Sequence, residues 1–268
     1  MGNSRGRFDG RVAFVTGGGS GIGFACARAV VDDGGSVMLA GRREDVLRAA
    51  AQKLGPRAAW MVCDVASEAS IEKAISAAVE QFGPLRLAVN SAGAGSVGSV
   101  LNGLSEDFAR IIDTNLIGTF RSMRCESRVM KAAGGGSIVN VSSIAGVLTH
   151  RWMSAYCASK AGINMLTRCA ADDLGEHGIR VNAVMPSFVP TEIWSAMVSN
   201  PEIHAEYLRR IPLGRLGTVD DVAALAAFLL SDESDWITGQ CVGVDGGHTI
   251  RQGPDMVPIY RQFLPEER

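Results

Sequence analysis

The chain has 268 residues, of which 47% are hydrophobic and 20% charged, a composition typical of a globular α/β protein rather than of disordered or fibrous chains. A formal net charge of −2 gives no broad basic field for nucleic acid or an anionic membrane, so we expect a small-molecule partner. No apolar run reaches the roughly 18 residues of a membrane span, and Met1 to Gly10 lack a signal-peptide core, so we expect a cytoplasmic location.

Short apolar runs recur along the chain, and each is followed by a longer segment of helical character. Runs without polar alternation are typical of parallel strands that are buried on both faces. We predict strands at Val12–Val15, Val37–Ala40, Ala58–Val62, Leu85–Val89, Ser137–Val141, Ile179–Val184 and Cys241–Val244. Right-handed connections would wind them into a doubly wound, Rossmann-type α/β fold with seven parallel strands and helices on both faces. We predict one domain with a core of about 7–250 and tails at 1–6 and 251–268.

A glycine-rich turn, Thr16 to Gly23, follows the first predicted strand and leads directly into a helix that begins near Ile22. Gly17 permits a tight turn, Gly21 lets the backbone approach a pyrophosphate, and Gly23 lets helix and strand pack closely. The free N–H groups of the helix start then face the negative charge. The position of the glycines between strand and helix therefore indicates a dinucleotide site, although a glycine turn without a ligand is the alternative.

The end of the second strand reads Ala40-Gly41-Arg42-Arg43, where a site for NAD usually has Asp or Glu against the ribose 2′-hydroxyl. A guanidinium there suits a 2′-phosphate through charge-assisted hydrogen bonds. We therefore predict NADP(H) in preference to NAD(H), with Arg42 as the main contact and Arg43 as a helper. A solvated arginine pair is the alternative interpretation.

Helix-ending glycines follow along the chain at Gly34-Gly35, Gly55, Gly83 and Gly134–Gly136. Further on, Tyr156 and Lys160 lie one helical turn apart, so that the phenol and the ammonium project from one face. A nearby ammonium favours the phenolate, and we expect Lys160 to lower the pKa of Tyr156 from its usual value near 10. Upstream, Ser142-Ser143 ends the fifth strand, at the edge where ligands bind in such sheets.

Two further features complete the chain. Thr218 and Asp221 form a predicted capping box that opens the last helix. The six cysteines are dispersed and form no Cys-x-x-Cys pair, so we expect reduced thiols and no metal site.

Together these residues resemble the classical short-chain dehydrogenase/reductase family over about Arg7 to Ile250, most closely in its 3-oxoacyl-carrier-protein reductase-like members. Further matching motifs are Asp64-Val65, Asn90-Ser91-Ala92-Gly93, Asn115, Pro186 to Thr191, and Ile237 to Gly247. The resemblance implies a catalytic tetrad of Asn115, Ser143, Tyr156 and Lys160, in which Ser143 is selected because it precedes Tyr156 by thirteen residues.

The resemblance also assigns roles. Tyr156 would exchange a proton with the substrate oxygen, Ser143 would orient that oxygen, Lys160 would also bind the nicotinamide ribose, and Asn115 would hold a water in a proton relay. The implied cofactor-binding residues are Gly17, Ser20, Gly21, Ile22, Gly23, Arg42, Arg43, Asp64, Val65, Asn90, Ala92, Gly93, Tyr156, Lys160, Pro186, Val189 and Thr191. Two residues depart from the family pattern: Ser91 replaces an asparagine, and Ser187 replaces the usual glycine.

The substrate is expected to be a hydrophobic or partly hydrophobic ketone or secondary alcohol. The apolar residues near the tetrad are Trp152 and Met153 before Tyr156, and Trp194, Met197 and Tyr207 after Thr191, while His150 is interpreted as a loop residue. A carrier-protein thioester is an alternative substrate, because Arg209, Arg210 and Arg215 could form a basic docking patch; solvated arginines are the other interpretation.

A catalytically silent dinucleotide-binding sensor or structural protein is the alternative from another functional class, since a fold does not guarantee chemistry. The complete tetrad argues against it. The resemblance further implies a homotetramer with interfaces at the helix ending near Gly134, the helix carrying Tyr156 and the last strand. The tail from Arg251 could reach a neighbour's site.

Overall fold

A computed structural model describes residues 6–192, 200–253 and 256. Its seven strands form one parallel sheet in the order β3-β2-β1-β4-β5-β6-β7. Their bounds are β1 Val12–Thr16, β2 Ser36–Gly41, β3 Ala58–Val62, β4 Leu85–Asn90, β5 Gly136–Val141, β6 Ile179–Pro186 and β7 Cys241–Val244. The predicted doubly wound α/β fold is confirmed.

The helices of the described residues follow the strands in alternation. They are α1 Gly21–Asp32, α2 Glu44–Leu54, α3 Glu68–Phe82, α4 Ser105–Ile112, α5 Gly118–Ala132, α6 Ser154–Gly175, α7 Pro201–Arg210 and α8 Val219–Leu230. The predicted capping box is present, because the Thr218 hydroxyl accepts from the Asp221 N–H and the Asp221 carboxylate accepts from the Thr218 N–H. Within the described ranges no helix is long and apolar enough to cross a membrane.

The core lies in two layers, one on each face of the sheet. Side chains at alternating strand positions point to opposite faces, so Ala13 and Val15 of β1 pack under α1, α2 and α8. Val12 and Phe14 pack instead under α3, α5 and α6. This burial on both faces explains why the strands read as continuous apolar runs.

The strand order fixes where a ligand can bind. β1 and β4 are neighbours in the sheet, but the chain leaves β1 toward β2 and leaves β4 toward β5. The connections therefore diverge at this point and open a crevice at the carboxyl ends of the strands. Thr16, Gly41, Asn90, Val141 and Pro186 are the last residues of the strands that end there.

Candidate active site

A cleft of about 560 Å³ opens at the switch point between β1 and β4. It is lined by the glycine turn, by the loops after β2, β3 and β4, and by the segment after β6. Of the predicted cofactor-binding residues, those that line it are Gly17, Ser20, Gly21, Ile22, Arg42, Arg43, Asp64, Val65, Ala92, Gly93, Tyr156, Lys160, Pro186, Val189 and Thr191. Gly23 and Asn90 do not line it.

The glycine turn is built so that nothing larger than hydrogen fits at its base. A Cβ on Gly17 would lie 2.9 Å from the Ala92 nitrogen, and its φ of +66° is in the left-handed region. A Cβ on Gly23 would lie 2.4 Å from the Gly17 carbonyl oxygen, so Gly23 packs beneath the turn instead of facing the cleft. The close approach of helix and strand leaves backbone at the surface of the cleft, which fits a dinucleotide pyrophosphate.

The side chain of Asn90, one of the predicted cofactor-binding residues, lies in the interior. It is 3% exposed, and its amide donates to Glu126 Oε2 at 3.0 Å and to Asn140 Oδ1 at 3.1 Å. Burial raises the pKa of the Glu126 carboxyl to about 8. This buried polar network was not predicted, because its members are distant in sequence and only the register of β4 against β5 brings them together.

The two arginines after β2 lie at the rim of the cleft. Arg43 spans the cleft. Its guanidinium donates to the Ser20 hydroxyl at 3.3 Å and to Oε2 of Glu192, a residue beyond the end of β6, at 2.9 Å. Both partners of the ion pair are more than half exposed. Arg42 is also exposed and lines the same cleft. Glu192 therefore joins the rim as a residue that sequence reasoning missed.

Asn115 occupies a π-helical segment, Asp113–Ile117, between α4 and α5. Its fully buried side chain accepts from the Ala94 N–H at 2.8 Å and donates to the Ala94 carbonyl at 3.0 Å and to Ser159 Oγ at 3.1 Å. A Cβ on Gly93 would lie 3.5 Å from Asn115 Oδ1 and 4.0 Å from Lys160 Nζ. Asn115 thus lies behind Gly93, next to Lys160, and does not itself line the cleft.

Tyr156 and Lys160 project from the same face of α6, as their spacing predicts, with Lys160 Nζ 5.6 Å from the centre of the Tyr156 ring. The ammonium donates to the Val141 carbonyl at the end of β5 at 2.8 Å. Tyr156 is hydrogen-bonded to Ser143, whose hydroxyl also accepts from the Ala145 N–H at 3.1 Å. The structure therefore brings Ser143, Tyr156 and Lys160 together at the end of β5.

The pKa of Tyr156 is shifted upward in this structure, and the contribution predicted for Lys160 stays a prediction. Burial raises the pKa of Tyr156 to about 12, and the hydrogen bond from Ser143 opposes that rise. The same burial lowers the pKa of Lys160 to about 8. Desolvation disfavours both charged forms, the phenolate of Tyr156 and the ammonium of Lys160.

A second, smaller pocket of about 50 Å³ lies against the cleft. Of the described residues, Ser143, Tyr156 and Ser187 line both cavities. Its other lining residues are Ile144, Ala145, His150, Met153, Phe188 and Tyr207. The hydroxyls of Ser143 and Tyr156 therefore lie where the two cavities meet. His150, which was interpreted as a loop residue, also lines the small pocket.

The remaining predicted substrate residues differ in their placement. Trp152 is 57% exposed with a φ of +65° and does not line the pocket, whereas Met153 and Tyr207 do. Trp194 and Met197 lie outside the described residues. Sequence reasoning noted Ser187 only as a departure and missed His248, which is hydrogen-bonded to it at 2.8 Å. These two residues are 61 positions apart, and no local signal connects them.

The proposed basic patch is neutralised by acidic neighbours. Arg209 and Arg210 both form ion pairs with Glu206, and Arg215 forms a two-pronged pair with Asp221 at 2.7 and 2.8 Å. The three arginines thus offer less free positive charge than the sequence suggests.

Comparison with known proteins identifies relatives along nearly the whole chain. A family model described as enoyl-(acyl carrier protein) reductase matches residues 17–249. Galactitol 2-dehydrogenase (L-tagatose-forming) of Cereibacter sphaeroides is 38% identical over 91% of this chain and 97% of its own. Cyclohexanol dehydrogenase of an Acinetobacter strain is 39% identical over the same shares.

Among solved structures, a gluconate 5-dehydrogenase from Burkholderia cenocepacia in complex with NADP and tartrate has a TM-score of 0.87 and 32% identity. The match covers 92% of this chain and 98% of that one. These relatives thus align with nearly the whole chain, and their names give different substrates.

Proposed function

Because the chain belongs to the short-chain dehydrogenase/reductase family, and is an oxidoreductase of alcohol and carbonyl groups, we propose that it uses NADP(H) in preference to NAD(H) with Tyr156 as its general acid and base. One observation carries the proposal. Ser143 and Tyr156 are hydrogen-bonded to each other and line both the large cleft and the small pocket. A carbonyl oxygen in the small pocket would lie beside both hydroxyls.

Each residue of the tetrad has a role that its contacts support. Ser143 orients the substrate oxygen, and Tyr156 gives that oxygen a proton in reduction or takes one in oxidation. The nicotinamide, when bound, supplies or accepts the hydride. Lys160, anchored on the Val141 carbonyl, binds the nicotinamide ribose and stabilises the phenolate that proton transfer leaves. The family resemblance assigns Asn115 the water of a proton relay, and its side chain lies behind Gly93, hydrogen-bonded to Ala94 and Ser159.

The preference for NADP(H) rests on the loop after β2. The strand ends in Ala40-Gly41 without an acidic residue, and Arg42 and Arg43, which come next, both line the cleft. A 2′-phosphate would receive charge-assisted hydrogen bonds from these guanidinium groups. The NADP in the gluconate 5-dehydrogenase complex supports the choice by analogy.

The substrate is a small ketone or secondary alcohol. The ion pairs of Arg209, Arg210 and Arg215 weaken the case for a carrier-protein thioester, since a docking patch for an acidic carrier needs unpaired positive charge.

We also propose a closed homotetramer that works in the cytoplasm. The six cysteines are free thiols, as a reducing compartment favours, and cell fractionation would test the location.

Steady-state kinetics test the function directly. A panel of small ketones and an acetoacetyl thioester should be assayed with NADPH and with NADH. We expect ketone reduction, with kcat/KM at least about tenfold higher for NADPH, since one charged hydrogen bond is worth about 1.5–3 kcal/mol. A tenfold preference for NADH would overturn the cofactor assignment. Tight NADPH binding without turnover of any compound would favour a silent dinucleotide-binding protein.

A further inference from the structure

Ser187 lies in the site but has no role in the proposed tetrad. It follows the last residue of β6, and its N–H donates to the Val244 carbonyl of β7 at 3.2 Å. With Ser143 and Tyr156 it completes the set of described residues that line both cavities. Its hydroxyl is 2.8 Å from Nδ1 of His248.

His248 is held firmly on the far side of that hydroxyl. It is 5% exposed, and its N–H donates to the Asp245 carbonyl at 3.0 Å. Its ring meets the Tyr207 ring edge-on at 5.7 Å, and Tyr207 stacks on Phe188 at 4.4 Å. These contacts fix the imidazole, and the imidazole in turn fixes the Ser187 hydroxyl.

The hydroxyl retains hydrogen-bonding capacity toward the pocket. A serine hydroxyl offers one donor and two acceptor positions, and the contact with His248 uses one of them. Burial lowers the pKa of His248, so its ring is neutral at pH 7 and carries one proton. If Nδ1 accepts, Ser187 can accept from a ligand hydroxyl; if Nδ1 donates, Ser187 can donate to a ligand oxygen.

The small pocket therefore combines polar groups with apolar walls. The polar groups that it shares with the cleft are Ser143, Tyr156 and Ser187, with His248 hydrogen-bonded to Ser187, and His150 and Tyr207 also line it. The apolar walls are Ile144, Ala145, Met153 and Phe188. With a volume of about 50 Å³ the pocket is compact, and Ser187 lines it together with Ser143 and Tyr156.

We propose that Ser187, positioned by His248, binds a second oxygen of the substrate, so that the enzyme prefers an α-hydroxy ketone or vicinal diol on a compact apolar frame. This inference rests on the proposed function, in which Ser143 and Tyr156 hold the reacting oxygen. It selects between the two kinds of alcohol that the relatives' names give, a polyol and a simple cyclic alcohol.

Matched substrate pairs test the proposal. The ketones are cyclohexanone against its α-hydroxy derivative, and butanone against acetoin, each reduced with saturating NADPH. The wild type should show a kcat/KM at least about tenfold higher for the α-hydroxy member of a pair, as expected for one added hydrogen bond in a buried pocket. In Ser187→Gly that ratio should fall to about 1–2, mainly through KM, because the variant lacks the hydroxyl.

Two variants of His248 separate positioning from packing. His248→Phe keeps an aromatic ring against Tyr207 but removes the nitrogen, and should lower the ratio severalfold. His248→Asn puts a polar atom near the position of Nδ1 and should recover a higher ratio than His248→Phe. Ser187→Ala, which also removes the hydroxyl, serves if Ser187→Gly does not fold, and the same fall in the ratio is expected.

The outcomes are distinguishable. Turnover of no ketone by the wild type would count against the proposed function itself. Turnover of both members of each pair with equal kcat/KM would overturn this inference and leave the proposed function standing. A Ser187→Gly variant that changes the KM for NADPH but keeps the substrate ratio would also overturn it, because Ser187 would then contact the cofactor instead.

Discussion

At the scale of single residues, the site is governed by desolvation. Burial raises the pKa of Tyr156 to about 12 and lowers that of Lys160 to about 8, so neither group carries its charge easily. A phenolate formed at Tyr156 therefore depends on the Ser143 hydrogen bond and on Lys160 close by. Proton transfer in such a site is favoured only when the substrate oxygen is in place to take or give the proton.

We expect cofactor choice to be decided at this scale too, at Gly41. A Cβ there would meet only Leu47 side-chain atoms, at 3.5 Å or more, and its φ is outside the left-handed region. We predict that Gly41→Asp lowers the NADPH-to-NADH ratio of kcat/KM by at least about tenfold, since the carboxylate would repel a 2′-phosphate and accept from a 2′-hydroxyl. Gly41→Ala is the steric control. An unchanged ratio in Gly41→Asp would argue that Arg42 is not beside the phosphate.

The sequence could identify residues whose signal is local. Tyr156 and Lys160 follow from one helical turn of spacing, and the glycine turn follows from its place between strand and helix. The contacts of Ser187 with His248 and of Arg43 with Glu192 join positions 61 and 149 residues apart. Such pairs depend on the sheet order and on the path of the segment after β6, which composition and periodicity do not specify.

At the scale of elements, the strands were predictable and the break between α4 and α5 was not. Each predicted strand lies within an observed one to within two residues at either end. In β1, β2, β4, β5 and β6 burial on both faces leaves a largely apolar run, whereas the edge strands β3 and β7 are only partly buried. The π-helical turn at Asp113–Ile117 leaves no mark in the hydrophobic pattern. It accompanies the contacts of Asn115 with Ala94 and Ser159, which form only in the folded chain.

The rim of the cleft yields a prediction at this scale. Glu192, after β6, forms an ion pair with Arg43, before α2, across the cofactor cleft. We predict that Glu192→Gln lowers the KM for NADPH by about twofold to fivefold, because an exposed pair is worth at most about 1 kcal/mol and its loss frees Arg43 for phosphate. Glu44→Gln, which removes the exposed partner of Arg48 on α2, is the matched control. A higher KM for NADPH in Glu192→Gln would show that Glu192 positions Arg43 instead of competing for it.

At the scale of the whole molecule, a buried carboxyl makes stability depend on pH. Glu126 is fully buried, and its Oε1 has no hydrogen-bond partner among the described residues. Its pKa is raised from 4.5 to about 8 by burial. The folded state therefore holds this proton more tightly than the unfolded state does, and stability falls as pH rises from about 4.5 to 8.

We predict that Glu126→Gln weakens this dependence. The Tm of the variant minus the Tm of the wild type should increase by several degrees between pH 5 and pH 8.5. A change of about 1 kcal/mol in the free energy of unfolding corresponds to about 2–4 °C in Tm. Scanning calorimetry at both pH values would measure it. A gap that stays constant with pH would show that Glu126 titrates normally in the fold.

Assembly is the other property of the whole molecule. Large apolar side chains are exposed on α5, α6 and β7, including Phe120 at 48%, Met165 at 56% and Val242 at 36%. Several exposed apolar side chains on these elements fit the subunit interfaces that we propose there. We predict that Phe120→Glu shifts the protein from a tetramer to smaller species in light scattering. Lys53→Glu, on the exposed face of α2, should leave the mass of the oligomer unchanged. A wild type that is monomeric in light scattering would contradict the proposed tetramer.

The central claim is that Tyr156 exchanges the proton, and Tyr156→Phe tests it most directly. Turnover of a ketone that the wild type reduces should fall by about 10²–10⁴, the contribution of general acid and base catalysis, while the Kd for NADPH stays within about threefold. Tyr207→Phe, which alters another tyrosine of the small pocket, should lose far less. Turnover within tenfold of the wild type in Tyr156→Phe, with the fold and cofactor binding intact, would contradict the account.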